Sequence, residues 1–190
     1  PFKQKQCKGV LHLEQRYHSR YEAYPFLGEA GEDLRCDFEI FTDWICSQTG
    51  LLRARTEDPL LREELLRVGE LIYHFNPALR MGMAVTAQEV DWLESRLKAH
   101  MDETAGERGP FVLPQGSETA CLAHILRVSC KGLVRLISRW EEAHPVEPLI
   151  LDFANLLSGY FFALSLRLNQ LDGVAEIPFQ SRSYYSNSQK

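Results

Sequence analysis

Stretches that alternate apolar and polar residues are nearly absent from this 190-residue chain, as are clusters of β-branched side chains. A sheet therefore has no half-buried face to build on, which excludes the strand-based fold classes. Among the five cysteines, Cys7, Cys36, Cys46, Cys121 and Cys130, no CxxC pair occurs. Their odd number and wide spacing indicate neither a zinc knuckle nor a disulfide framework, and no residue set is expected to hold a metal. Cys121 and Cys130 fall in apolar helical runs and read as small buried hydrophobes, in keeping with a reducing cytoplasm. Basic charge is not in excess, since 21 Lys and Arg against 26 Asp and Glu leave a net charge of −5. Nothing in that balance draws in phosphates, so no nucleic-acid partner is expected. No apolar run approaches the length of a membrane span and no secretory leader is visible, so no membrane role is expected either. An internal repeat is also missing.

Helical signals fill the space these absences leave. Residues 34–54 carry Phe38, Phe41, Ile45, Leu51 and Leu52 at helical spacing. Asp58-Pro59 is a cap followed by a first-turn proline, and Leu61, Leu65, Val68, Leu71, Ile72 and Phe75 repeat behind it until Asn76-Pro77 ends the run. Thr86 with Glu89 three residues on is a capping box ahead of Val90, Leu93 and Leu97. DETAGERGPFVLPQG at 102–116 is the main loop. Ser117 then caps a helix running to about Trp140, with Cys121, Ile125, Val128 and Leu136 predicted along its inner stripe. The last helix, 149–170, is apolar on several sides through Leu157, Tyr160, Phe161 and Phe162. The expectation is an all-α protein, an antiparallel five-helix bundle over 34–176. Residues 1–33, with the tyrosine-rich EQRYHSRYEAYPF, have no settled period, and the polar 177–190 tail is expected to fray.

Candidate functional residues gather around the main loop. Phe111, beside a proline turn, either staples the loop to the bundle or faces a ligand. His124 on an apolar helical face is either a satisfied core histidine or a ligand contact. Arg127, Lys131 and Arg135 recur at i, i+4 and i+8 on one stripe, where they repel unless solvated, paired or facing an anion. Asn155, inside an apolar helix, needs a partner for its amide, from a ligand or from a neighbouring helix.

From about residue 34 onward the chain resembles the PduO-type ATP:cob(I)alamin adenosyltransferases, a family of trimeric five-helix bundles. FVLPQGSETACLAHILRVSCKGLVR is similar to the family's F-(I/V)-L-P-G-G-S…LH-x-x-R…R-R-A-E-R stretch. FANLLSGYFFALSLRLN, LRCDFEIFTDWICSQTG and WLESRL resemble three further family stretches in the same order. The resemblance implies transfer of the 5′-deoxyadenosyl group of ATP to the cobalt of a reduced corrinoid, with magnesium alongside the triphosphate and a homotrimer as the working assembly. It implies that Phe111 lines the lower face of the corrinoid and excludes its axial ligand. Leu113, His124, Arg127, Asn155, Tyr160 and Phe161 join it as corrinoid contacts. Lys131 and Arg135 would stabilise the leaving triphosphate, and Asp43 would pair with Lys131 across helices.

The chain departs from that family on the nucleotide side. Nothing in residues 1–33 matches its Y-T-K-T-G-D-x-G-x-T phosphate loop, and GEAGED at 28–33 is acidic, the wrong sign for phosphate. Lys131-Gly132-Leu133-Val134 stands where the family has Arg-Arg-Ala-Glu, and NPALR at 76–80 where it has GGDLA. Leu156 and Gly159 replace an arginine and an aspartate of the last helix. Lys3, Lys5, Lys8, Arg16 and Arg20 are available to substitute for the missing loop. The readings are an active adenosyltransferase, a non-catalytic trimeric bundle binding a corrinoid or other tetrapyrrole-like ligand, or a bundle kept for assembly alone.

Overall fold

Every long helix but one begins at a side chain that satisfies its first free backbone N–H groups. The computed structural model describes residues 17–22, 24, 27–28, 33–106 and 111–182. Helix α1 spans Leu34–Arg55, with Asp33 accepting from the Arg35 N–H and Arg53 and Arg55 placed at the negative end of the dipole. In α2, Pro59–Phe75, Asp58 accepts from the N–H groups of Leu60 and Leu61 at 2.8 and 2.9 Å. A single turn, α3, covers Ala78–Met81 and was not anticipated; four residues carry too little periodicity to be seen. Helix α4, Ala87–Glu103, opens on the predicted Thr86–Glu89 capping box. Helix α5, Glu118–Glu141, starts at Ser117, which accepts from the Ala120 N–H. Helix α6, Pro148–Leu171, begins instead with Pro148, whose missing N–H needs no partner.

Among the described residues the architecture is all-helical, five long helices and one short turn. Helix α5 packs along α6, α4 lies against another side of α6, and α1 lies between α2 and α5. Phe38, Phe75 and Phe153 from α1, α2 and α6 meet edge to face in the core, at ring separations of 5.2 and 4.9 Å. Thr42, Thr49 and Thr56 are buried at no penalty because each hydroxyl donates to the carbonyl four residues earlier. Helix α6 is, by length and composition, apolar enough to cross a membrane, contrary to the sequence expectation; most of that stretch is instead buried inside the bundle, mainly against α4 and α5.

The predicted stripe of α5 is rotated. Leu136 is buried as expected, but Ile125 and Val128 are half exposed, and the buried line is Ala120, Ala123, Leu126, Cys130, Leu133 and Ile137. Leu126, Leu133 and Ile137 carry the buried line, with Ala120, Ala123 and Cys130 packed between them. On the other flank, seven residues from Ile125, Gly132 lets α5 pass close to α1: a Cβ there would lie 3.1 Å from the Phe41 ring.

A buried carboxylate joins α2 to α4 and α6. Glu64 accepts from the Tyr160 hydroxyl at 2.9 Å, from His100 Nε2 at 2.6 Å and from Arg96 Nε at 2.6 Å. Burial alone would raise the Glu64 pKa, but the bonds and charge of His100, with Tyr160 and Arg96, bring it below the ordinary carboxylate value. The same burial, with the Glu64 charge beside it, pushes the Tyr160 hydroxyl well up, so it stays a donor. Replacing Glu64 with leucine leaves three polar groups without their shared acceptor, and urea unfolding should show a loss of about 3 kcal/mol. Tyr160→Phe should lose about 1 kcal/mol. Because the folded carboxylate resists a proton that the unfolded chain accepts, this contribution is present above the ordinary glutamate pKa and fades as pH falls below it. The Glu64→Leu variant should show a flatter acid limb in the same urea series.

Candidate functional site

The FVLP corner is an extended segment held by one isolated antiparallel bridge, and its partner comes from beyond α6. The Leu113 N–H donates to the Ile177 carbonyl and the Phe179 N–H to the Phe111 carbonyl, both at 2.9 Å, around an antiparallel bridge between Val112 and Pro178. In such a pair alternate residues share a face, so Phe111 stands opposite Phe179 and Leu113 opposite Ile177. The four side chains make an apolar plate that is 54, 45, 37 and 48% exposed respectively. Phe111 thus points outward rather than stapling the loop to the core. Ile177 and Phe179 were missed in the sequence, having been assigned to a fraying tail. The signal available was IPF, an apolar triplet in a polar context.

The corner leads through Gly116 and Ser117 into α5. The Asn169 side chain of α6 holds this turn, accepting from the Ser117 N–H at 2.9 Å and donating to the Gln115 carbonyl at 3.1 Å. Beside the turn, Pro114, Cys121, His124, Ile125, Arg127 and Val128 line an open hollow of about 480 Å³. His124 is buried, and neither ring nitrogen has a partner among the described residues. It is therefore a core histidine by position but not a satisfied one. Burial, reinforced by the charge of Arg127, holds its pKa down at about 4, so the ring is neutral at physiological pH. Arg127 is half buried, its Nε is likewise without a partner among the described residues, and burial lowers its pKa.

The remaining candidates separate into solvent-facing and core residues. Lys131, Arg135 and Asp43 are exposed, and the expected Asp43–Lys131 ion pair is not present among the described residues. Asp43 instead borders a second hollow, of about 320 Å³, with Glu39, Ile40, Tyr24 and Tyr73. Asn155 is exposed, not buried as its apolar helix suggested, and its amide donates to the Leu151 carbonyl one turn back. Tyr160 and Phe161 are wholly buried, with rings 5.2 Å apart, so they stand in the core behind the site and do not line it. Two departures from the family pattern have a packing reason. Gly132 and Gly159 lie where neighbouring helices press in, and a Cβ at Gly159 would come within 2.8 Å of Leu97 Cδ1. Lys3, Lys5, Lys8 and Arg16, the acidic GEAGED segment apart from its ends, and residues 183–190 lie outside the described residues.

Comparison with known proteins gives a consistent result. The profile of a family described as cobalamin adenosyltransferase matches residues 33–168. A corrinoid adenosyltransferase of Bacillus subtilis (strain 168) is 31% identical over 101 residues, 53% of this chain and 52% of the relative. A cobalamin adenosyltransferase of Cupriavidus metallidurans is 31% identical over 94 residues, 50% of this chain and 48% of the relative. The chain thus aligns with about half the length of these curated relatives. A variant PduO-type ATP:corrinoid adenosyltransferase from Lactobacillus reuteri, complexed with cobalamin and ATP, superposes with a TM-score of 0.72 at 21% identity, over 78% of this chain and 87% of that one. A second variant of that protein, complexed with ATP, gives 0.71 at 22% identity, over 81% and 92%. At that identity the likeness establishes the fold.

The neutral, partnerless His124 has a measurable consequence. Between its ordinary pKa of 6.5 and its folded value of about 4, the unfolded chain takes up a proton that the folded chain refuses. Its contribution should make stability fall as pH drops through that window. In urea titrations, His124→Leu should lose that part of the slope while the wild type keeps it.

Proposed function

Because this chain belongs to the cobalamin adenosyltransferase family, we propose that it transfers the 5′-deoxyadenosyl group of ATP to the cobalt of a reduced corrinoid. The observation that carries the reading is the outward plate of Phe111, Leu113, Ile177 and Phe179, which adjoins the turn into the α5 hollow. An exposed apolar plate on a charged surface fits a flat macrocycle, and its shape keeps water and an axial ligand from one face of the metal. In the transfer, the cobalt(I) electron pair forms the Co–C5′ bond, the C5′–O5′ bond breaks, and triphosphate departs with that bond's electrons. The protein supplies no nucleophile. Its work is to place C5′ in line and to neutralise the departing charge.

Named roles follow from placement. Phe111 and Leu113 would wall the corrinoid, with His124 and Arg127 at the hollow offering a neutral imidazole and a guanidinium to its polar rim. Lys131 and Arg135, exposed one and two turns further along α5, are free to meet the triphosphate. Magnesium would enter with the nucleotide, and the exposed Asp43 carboxylate is the kind of hard oxygen donor it takes. Outward apolar residues of α1 and α5, Ile40, Trp44, Ile125 and Val128, support a homotrimer in which these faces are shared between copies. Among the described residues Cys46, Cys121 and Cys130 are free thiols, which supports a reducing cytoplasm.

One observation favours a second reading, corrinoid binding without turnover. Asp43 places negative charge on the hollow beside α1, where a triphosphate would need positive charge, while its neighbour Glu39 is paired with Arg80 at 2.7 Å. Anaerobic mixing of the protein with reduced cobalamin and magnesium–ATP separates the two. Turnover should bleach the cobalt(I) spectrum and give a light-sensitive product; a corrinoid-dependent rise in melting temperature with no bleaching would establish the second reading.

Since Phe111 is half exposed, Phe111→Ala should change stability by no more than about 0.5 kcal/mol. It should nevertheless abolish the spectrum of cobalt(II) lacking its axial ligand. An unchanged spectrum in that variant would remove Phe111 from the site.

A further inference from the structure

The amide of Asn169 sits where three separate segments meet. It is wholly buried in the last turn of α6. It accepts from the Ser117 N–H, donates to the Gln115 carbonyl at the turn before α5, and donates to Glu176 Oε1 at 2.8 Å in the segment after α6. All of its side-chain partners are thus loop atoms at one end of the pairing, just after Leu113 and just before Ile177. Gly116 is built around it. Its φ is +142°, and a Cβ there would lie 1.8 Å from the Asn169 Oδ1, so only glycine admits the amide to this position.

We propose that Asn169 is a positioning residue for the transfer: its amide latches the Gly116 turn to Glu176 and so sets where Phe111 is presented to the corrinoid. This rests on the reading of Phe111 as the wall of that site. The physical argument is one of reach. The Phe111–Leu113 segment makes its two pairing hydrogen bonds to Ile177 and Phe179. A two-stranded ribbon is marginal by itself and keeps a set position only if it is tied to the rest of the fold. Asn169 ties both segments at their Leu113–Ile177 end with one side chain, holding the turn after one and Glu176 before the other. The chemistry also needs an amide in particular. Gln115 and Glu176 present acceptors and Ser117 presents a donor, so the site requires one acceptor and two donors on a planar group, the inventory of asparagine and not of aspartate.

The test exploits that asymmetry. Asn169→Asp keeps shape and the Ser117 bond but turns both donors into an acceptor facing a carbonyl and a carboxylate. A second change, Glu176→Gln, returns a donor to the same gap. Asn169→Asp should lower kcat by about ten-fold to a hundred-fold, in the range expected for a displaced positioning group, with KM for ATP little changed. It should also lose the spectrum of cobalt(II) lacking its axial ligand. Asn169→Asp/Glu176→Gln should recover most of both. Hydrogen exchange at the Leu113 and Phe179 amides reads the latch without any corrinoid; it should quicken in the single variant and slow again in the double. Unchanged exchange in a folded Asn169→Asp protein, or quickened exchange with no recovery in the double variant, overturns the latch. Exchange that quickens and recovers while kcat and the cobalt(II) spectrum do not follow overturns the positioning role. If the wild-type protein itself gives no corrinoid spectrum, the reading of Phe111 fails, while the exchange data still decide the latch.

Discussion

The close approach of α5 to its neighbours decides which way every candidate side chain on that helix points. Leu126, Cys130, Leu133 and Ile137, with Ala120 and Ala123, take the face packed into the bundle. Ile125 and Val128 are thereby turned out, and His124 and Arg127 are left at the boundary between core and solvent. Apolar residues lie on both flanks of α5, so hydrophobicity alone does not choose between them; the close-packed fit against α1 and α6 does, and with it where the cationic stripe lies.

Two kinds of buried polarity then serve different ends. The Glu64 carboxylate, with Tyr160, His100 and Arg96, holds α2, α4 and α6 together within the bundle. The Asn169 amide does its work at the rim, where loops must be fixed without help from regular structure. His124 is the exception, buried but without a hydrogen-bond partner among the described residues. Such a group marks a place where something other than fold stability shapes the packing.

The bundle was legible in the sequence because caps and periodicity are local. Asp58-Pro59, Thr86 with Glu89, and Ser117 each mark a helix start that the structure has. Phe111 was legible as a candidate only through its motif, and its outward orientation came from the pairing with Phe179, a contact 68 residues away that no local pattern encodes. Asn155 and Tyr160 were misplaced for one reason. On a helix apolar on several sides, the sequence does not say which flank meets water, so Asn155 was put inside and Tyr160 at the wall. The Asp43–Lys131 pair was inferred from a likeness, and lysine on an exposed stripe has no rigid fork to hold such a partner.

The plate draws half of its side chains from a segment made after every helix of the bundle. A chain still on the ribosome can complete its hydrophobic interior, α6 included, before residues 177–179 emerge. In the order of synthesis, the interior is complete before the surface plate is.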